Sequence, residues 1–166
     1  MGDVLLLVTL FICLLTDLKK RKIYNIVLFP AVIGGILLNI YDTGFTGLLF
    51  SIKGFFIGLG FLLLPFIWGG IGAGDVKLLA TIGAIKGPEF IFYTCLGMGF
   101  AGGIIAMVIL LFQGRLFQTL GELWNGLIVL FTTQFKVVSF GFKSDNNMFP
   151  YGIAITLGAI SAYFVG

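Results

Sequence analysis

Two aspartates are the residues of this sequence whose types and surroundings best suit chemistry. Asp75 lies in the glycine-rich stretch "GGIGAGDVKLL", and Asp17 directly precedes the basic stretch "LKKRK". Two carboxylates that meet near one water molecule can perform aspartic-protease chemistry, because like charges at short distance share one proton near neutral pH. The ionised member takes a proton from water, while the protonated member hydrogen-bonds the peptide carbonyl.

Other reactive residue types are scarce. The chain has no histidine, and its two cysteines, Cys13 and Cys95, both lie inside apolar runs. They are expected to be small buried hydrophobic residues rather than metal ligands or a redox pair. The glycine-rich stretch is not a nucleotide-binding loop, since it lacks a following Gly-Lys-Ser/Thr and any strand–helix–strand context. We expect no metal, no cofactor and no nucleic-acid partner.

The composition is that of a membrane protein. Of the 166 residues, 59% are hydrophobic and 10% are charged, and the mean hydropathy is +1.14, whereas soluble domains carry about 25% charged residues. We therefore expect residues 1–166 to form a single polytopic membrane domain. In the first apolar run Asp3 precedes the apolar residues and the basic residues follow them, which is the reverse of a cleavable signal peptide and predicts a retained helix.

The apolar runs predict an all-α integral membrane protein with six transmembrane helices and its N-terminus outside. Residues 75–112 must fold back, because as one helix they would be about 57 Å long against a hydrocarbon core of about 30 Å. The breaker "KGPE" at 86–89 is the expected turn. The helices are predicted at about 3–17, 23–41, 46–68, 75–86, 89–112 and 149–165.

Residues 116–131 are predicted to form one interfacial amphipathic helix on the cytoplasmic side. Gln118, Glu122 and Asn125 share one face, and apolar residues occupy the other. With six crossings, Lys53 and Lys86 are the only basic residues on the outer side, which agrees with the positive-inside rule. The inner side then holds Lys19, Lys20, Arg21, Lys22, Lys77, Arg115, Lys136 and Lys143.

This topology places Asp17 and Asp75 at one depth, the cytoplasmic boundary. Each aspartate has a structural explanation when taken alone. Asp17 can mark a helix end, and the negative charge of Asp75 can be stabilised by the dipole of the helix that begins there. Together they favour catalysis, since carboxylates at membrane depth are costly and are kept for function. The pairs Gly54/Gly58 and Gly99/Gly103 are expected to be helix-packing positions.

Three motifs resemble those of the type IV prepilin peptidases, which are GxGD membrane aspartyl proteases. "GAGDVKL" (Gly72–Leu78) resembles the GxGD motif, and "DLKKRKIYN" (Asp17–Asn25) resembles the first-aspartate motif. "FPYGIAI" (Phe149–Ile155) resembles the Pro-Tyr-Gly segment that opens the last helix of the family. Tyr24 stands where many members have proline.

The resemblance implies removal of the leader peptide from prepilin-like or pseudopilin precursors, at the cytoplasmic face of the inner (plasma) membrane of a bacterium or archaeon. Larger members also carry a four-cysteine zinc domain and methylate the trimmed pilin with S-adenosylmethionine. This chain resembles the small branch without that domain, and we expect no methyltransferase activity. Carried over by position, Asp17 and Asp75 are the catalytic pair, and Gly72 and Gly74 shape the loop. Further matches to motif positions, without an assigned role, are Asn25, Lys77, Pro150, Tyr151 and Gly152.

Two alternatives remain open on the residues alone. A presenilin-like protease would use the same carboxylates to cut within a transmembrane helix. A small proton-coupled transporter would use buried acids to relay ions, although both aspartates are expected at one face and no further charges mark a path across the membrane.

Overall fold

The computed structural model describes residues 1–20, 23–67, 70–112 and 151–165. Within these residues the regular secondary structure is entirely helical. The helices are α1 (Gly2–Lys20), α2 (Asn25–Thr43), α3 (Phe45–Ile67), α4 (Ala73–Phe112) and α5 (Tyr151–Val165). The predicted interfacial helix at 116–131 lies outside the described residues, as does Pro150.

Three of these helices are long and apolar enough to cross a membrane. They are α2, α3 and the Ala73–Val108 part of α4. Their length and composition indicate a membrane protein. The count of six crossings and the outward N-terminus stay predictions.

Helix α4 is interrupted at Gly87, inside the predicted "KGPE" break. Gly87 has a φ of 82°, a left-handed conformation that favours glycine, and the ring of Phe50 occupies the space of a side chain there. Pro88 has no backbone N–H, so the carbonyl of Ala84 loses its normal helical donor. The Asn39 amide replaces that donor, because its Nδ2 donates to the carbonyl oxygen of Ala84 at 3.3 Å.

The two segments of α4 run in opposite directions along α5. Before the break, Asp75 lies near Tyr151 at the start of α5, and Lys86 lies over the ring of Tyr163 near its end. After the break, the ring of Phe90 packs edge-on against Tyr163, while the carbonyl of Thr94 lies beside Gly158 in the middle of α5. The predicted reversal of the chain at residues 86–89 is confirmed.

The segment of α4 before the break forms the centre of the fold. All residues from 78 to 85 are buried, which is typical of a helix that is surrounded by protein. The backbones of α3 and α4 approach closely where Gly54 lies against Gly83 and Gly58 lies against Leu79, so the predicted packing role of the first glycine pair is confirmed. By contrast, a side chain added at Gly99 or Gly103 would meet no atom of the described residues within 4 Å.

Three predicted helix bounds need correction. Asp17 does not end α1, which continues through Lys19 and Lys20, whose charges suit a helix C-terminus. Helix α2 begins at Asn25 rather than residue 23, because Tyr24 has an extended backbone (φ −88°, ψ 129°). Helix α4 begins at Ala73, so Asp75 lies within its first turn rather than at its start.

Residue contacts divide the chain into two units. One comprises Met1–Ala101 together with Phe149–Gly166, and both Asp17 and Asp75 lie in it. The other comprises Gly102–Met148, of which the structure describes the last helical residues of α4. A single domain over residues 1–166 stays a prediction.

Candidate active site

Asp17 lies near the C-terminal end of α1, where it is buried against α5. Its exposed fraction is 8%, which is low for a carboxylate. Its side chain touches Gly152: a Cβ atom built on Gly152 would lie 3.0 Å from Cγ of Asp17 and closer still to Oδ2. The absence of a side chain at Gly152 is therefore what admits the Asp17 carboxyl group.

Asp75 is held in the first turn of α4 by reciprocal hydrogen bonds with Gly72. The backbone N–H of Asp75 donates to the carbonyl oxygen of Gly72 at 3.1 Å, and the N–H of Gly72 donates to the Asp75 carboxylate. This resembles a capping box, in which a side chain of the first turn reaches back to the residue before the helix. A Cβ atom at Gly72 would lie 3.2 Å from Oδ2 of Asp75, so glycine leaves room on this side of the carboxylate.

The two carboxyl groups come from different helices and lie within electrostatic range of each other. Tyr151, the first residue of α5, also lies within electrostatic range of Asp75 and is half-buried. The first turn of α5 therefore lies close to both aspartates: Gly152 contacts Asp17, and Tyr151 lies within electrostatic range of Asp75. We call this group of four residues the carboxylate end.

The segment before α2 packs on the same turn of α4. A Cβ atom at Gly74 would lie 3.0 Å from Cβ of Ile23, so glycine allows this close contact. Lys77 donates from Nζ to Oδ1 of Asn25 at 3.1 Å, and both residues are exposed. Of the predicted site residues, Asn25, Gly74 and Lys77 thus form a second contact beside the carboxylate end, whereas Pro150 lies outside the described residues.

A second polar group lies where α1 begins, where α4 breaks and where α5 ends, and we call it the ion-pair end. Lys86 of α4 forms a salt bridge with Asp3 of α1, and the hydroxyl of Tyr163 of α5 donates to Oδ1 of Asp3 at 3.1 Å. The Lys86 ammonium lies 4.9 Å from the centroid of the Tyr163 ring and 5.5 Å from that of Phe90. The Asp3 carboxylate therefore has a cation and a hydroxyl as partners.

A comparison with protein-family models gives a match over residues 4–107, more than half of the chain, to the type IV leader peptidase family. The chain belongs to the type IV leader peptidase family. Membership indicates a protease that acts on a peptide or protein substrate. The matched residues include Asp17 and Asp75 but end before Tyr151 and Gly152. No curated protein and no solved structure matches the chain.

The contacts of this leader peptidase family member go beyond what the sequence predicted. The sequence singled out Gly72 and Gly152 as motif positions and placed Gly72 in the loop beside Asp75, but it did not indicate that Gly152 lies against the Asp17 carboxyl group. The only signal was the absence of a side chain at both positions.

Among the described residues, no group of three or more histidine, cysteine or acidic residues could hold a metal ion.

Proposed function

We propose that this protein is a membrane-embedded aspartic endopeptidase that removes the leader peptide from type IV prepilin-like or pseudopilin precursors. The observation that carries the proposal is the proximity of Asp17 and Asp75, two acids from different helices within the part of the chain that matches the leader peptidase family. We further propose that cleavage takes place at the cytoplasmic face of the inner (plasma) membrane, in agreement with the distribution of basic residues in the sequence.

In the proposed reaction the pair shares one proton and activates one water molecule. The ionised carboxylate accepts a proton from water as the water oxygen bonds to the peptide carbonyl carbon. The protonated carboxyl group hydrogen-bonds the carbonyl oxygen, which carries the developing negative charge. When the C–N bond breaks, the leaving nitrogen receives a proton from the pair, and the pair returns to its singly protonated state.

The reaction needs close approach of a substrate backbone to both carboxyl groups. Gly72 is exposed and has no side chain beside Oδ2 of Asp75, so a peptide can approach Asp75 from this side. Asp17 is more deeply buried than Asp75, which fits a role in which water rather than the substrate backbone contacts it first.

Incubation of the purified, membrane-reconstituted protein with a candidate prepilin precursor tests the proposal. Mass spectrometry of the products should locate a single cut between the leader and the apolar segment of the precursor. A cut within the apolar segment would instead support the presenilin-like alternative. Ion flux into vesicles without any peptide product would support the transporter alternative and overturn the proposal.

A further inference from the structure

The first turn of α5 makes an unusual contact at Gly152. The three atoms nearest to a Cβ built there are Oδ2, Cγ and Cβ of Asp17, all from one side chain. Gly158, on the same helix, differs. A Cβ atom at Gly158 would meet backbone atoms of another helix, namely the carbonyl oxygen of Thr94 at 2.5 Å and the nitrogen of Met98 at 2.6 Å. Gly158 therefore permits helix packing, whereas Gly152 makes room for one carboxyl group.

The turn that carries Gly152 is held in place from within α5. The hydroxyl of Thr156 donates to the carbonyl oxygen of Gly152 at 2.6 Å, and both residues are buried. A side chain added at position 152 would therefore displace the Asp17 carboxyl group more readily than the braced helix backbone.

The neighbouring residue of the same turn lies near the second carboxyl group. Tyr151 lies within electrostatic range of Asp75, and successive residues of a helix point about 100° apart. Adjacent residues of one helical turn thus lie beside the two acids, since Gly152 contacts Asp17 and Tyr151 lies within electrostatic range of Asp75. The thiol of Cys13, one turn earlier on α1, also lies within electrostatic range of Asp17.

From these contacts we infer that Gly152 is a positioning residue, which fixes the Asp17 carboxyl group opposite Asp75 by leaving the space that this group occupies. The inference rests on the proposed peptidase function and deepens it. A displacement of about 1 Å in a catalytic group can lower a rate about 100-fold. Gly152→Ala is therefore expected to act on the chemical step rather than on substrate binding.

Kinetics of Gly152→Ala and its matched control Gly158→Ala test the inference. For Gly152→Ala we expect kcat to fall about 10- to 100-fold, while KM changes less than about threefold. Gly158→Ala should reduce thermal stability, but its folded fraction should keep kcat within about twofold of wild type. Wild-type kcat in Gly152→Ala, or equal losses of kcat in both variants, would overturn the inference.

A second measurement is independent of activity. In protein labelled with ¹³C at the aspartate carboxyl groups, loss of a signal in Asp17→Asn identifies the Asp17 resonance. Gly152→Ala should shift its titration midpoint by about half a pH unit or more, because the two carboxyl groups titrate as a coupled pair. Gly158→Ala should leave the midpoint unchanged. An unchanged midpoint in Gly152→Ala overturns the positioning role, even if the wild-type protein cleaves the precursor. If the wild-type protein does not cleave, the proposed function fails, and the titration midpoint still decides whether Gly152 positions Asp17.

If Gly152→Ala does not fold, stability is measured for the same substitution in the Asp17→Ala background. Removal of the carboxyl group should then restore folding of Gly152→Ala, whereas it should not help Gly158→Ala. Failure of Asp17→Ala to restore folding would overturn the inference.

Discussion

The carboxylate end and the ion-pair end are both built from α1, α4 and α5, but the acids at the two ends have opposite kinds of neighbours. At the ion-pair end, Asp3 receives the ammonium of Lys86 and the hydroxyl of Tyr163. At the carboxylate end, Asp17 and Asp75 are brought within range of each other's charge. The two ends are separated by about 21 Å along α1, so each can be altered without direct contact with the other.

The difference between the two ends implies that one contributes mainly to the stability of the fold and the other mainly to cleavage. Opposite charges in contact stabilise a fold modestly, whereas like charges that are held close together are typical of functional sites. We therefore expect substitutions at the ion-pair end to lower stability and leave cleavage nearly intact. Substitution of either aspartate at the carboxylate end should abolish cleavage at little cost in stability.

The largest expected effect is the loss of cleavage in Asp17→Asn and in Asp75→Asn. Each should lower the rate of precursor cleavage about 10³-fold or more, since neither variant can share a proton between two carboxyl groups. Quantitative mass spectrometry of the cleaved leader measures the rate. Asp42→Asn, an exposed acid at the end of α2, is the control and should cleave at the wild-type rate. Full cleavage by either site variant would refute the paired mechanism.

The next effect concerns the break in α4, which leads into the ion-pair end. Asn39→Ala removes the donor to the carbonyls of Ala84 and Ile85, so we expect a loss of about 1–3 kcal/mol in the free energy of unfolding. Denaturant titration in mixed micelles measures this loss. Thr43→Ala, which removes an exposed hydrogen bond to the carbonyl of Asn39, should cost much less. Equal stability of the two variants would show that the amide does not support the break.

Lys86→Met tests the ion pair itself. The salt bridge and the two aromatic contacts of the ammonium are partly exposed, so their loss should cost about 1 kcal/mol, or about 2–4 °C in Tm. In the Asp3→Asn background the salt bridge is already lost. Lys86→Met should then cost only the contribution of the two aromatic contacts. A tenfold loss of cleavage in Lys86→Met would contradict the separation of the two ends.

The smallest effect is expected at the contact beside the carboxylate end. Asn25→Ala removes the acceptor for Lys77 at an exposed site, and such a bond contributes about 0.5–1 kcal/mol. If it helps to hold the first turn of α4, the cleavage rate should fall about two- to fivefold. Lys77→Met should have the same effect, and the double variant should lose no more than either single one. Additive losses would instead indicate separate roles for the two residues.

Much of this arrangement follows from local sequence. Gly87 and Pro88 break α4 because glycine accepts a positive φ and proline removes a donor, and both effects are encoded by the residues themselves. The alternation of apolar runs with basic clusters also predicts that Asp17 and Asp75 lie at the same end. In the structure the two carboxyl groups lie within electrostatic range of each other, and their placement at the cytoplasmic boundary stays a prediction.

The remainder depends on contacts between residues far apart in the chain. Nothing near Asp3 in the sequence indicates that Lys86 is its partner, since the prediction treated both as charges of outer loops or helix ends. The sequence identifies Gly152 only as a glycine of a motif, because its contact with Asp17 depends on the register of α5 against α1. Register is set by the packing of small residues on several helices at once, which apolar periodicity does not specify.

The most direct test of the central claim is a paired measurement of cleavage and Tm for Asp75→Asn and Asp3→Asn, reconstituted in the same lipid. Asparagine at position 75 keeps an acceptor for the N–H of Gly72 and removes the charge that lies within electrostatic range of Asp17. The account predicts that Asp75→Asn is inactive with an unchanged or higher Tm, whereas Asp3→Asn is active with a lower Tm. Cleavage by Asp75→Asn at the wild-type rate would contradict the account.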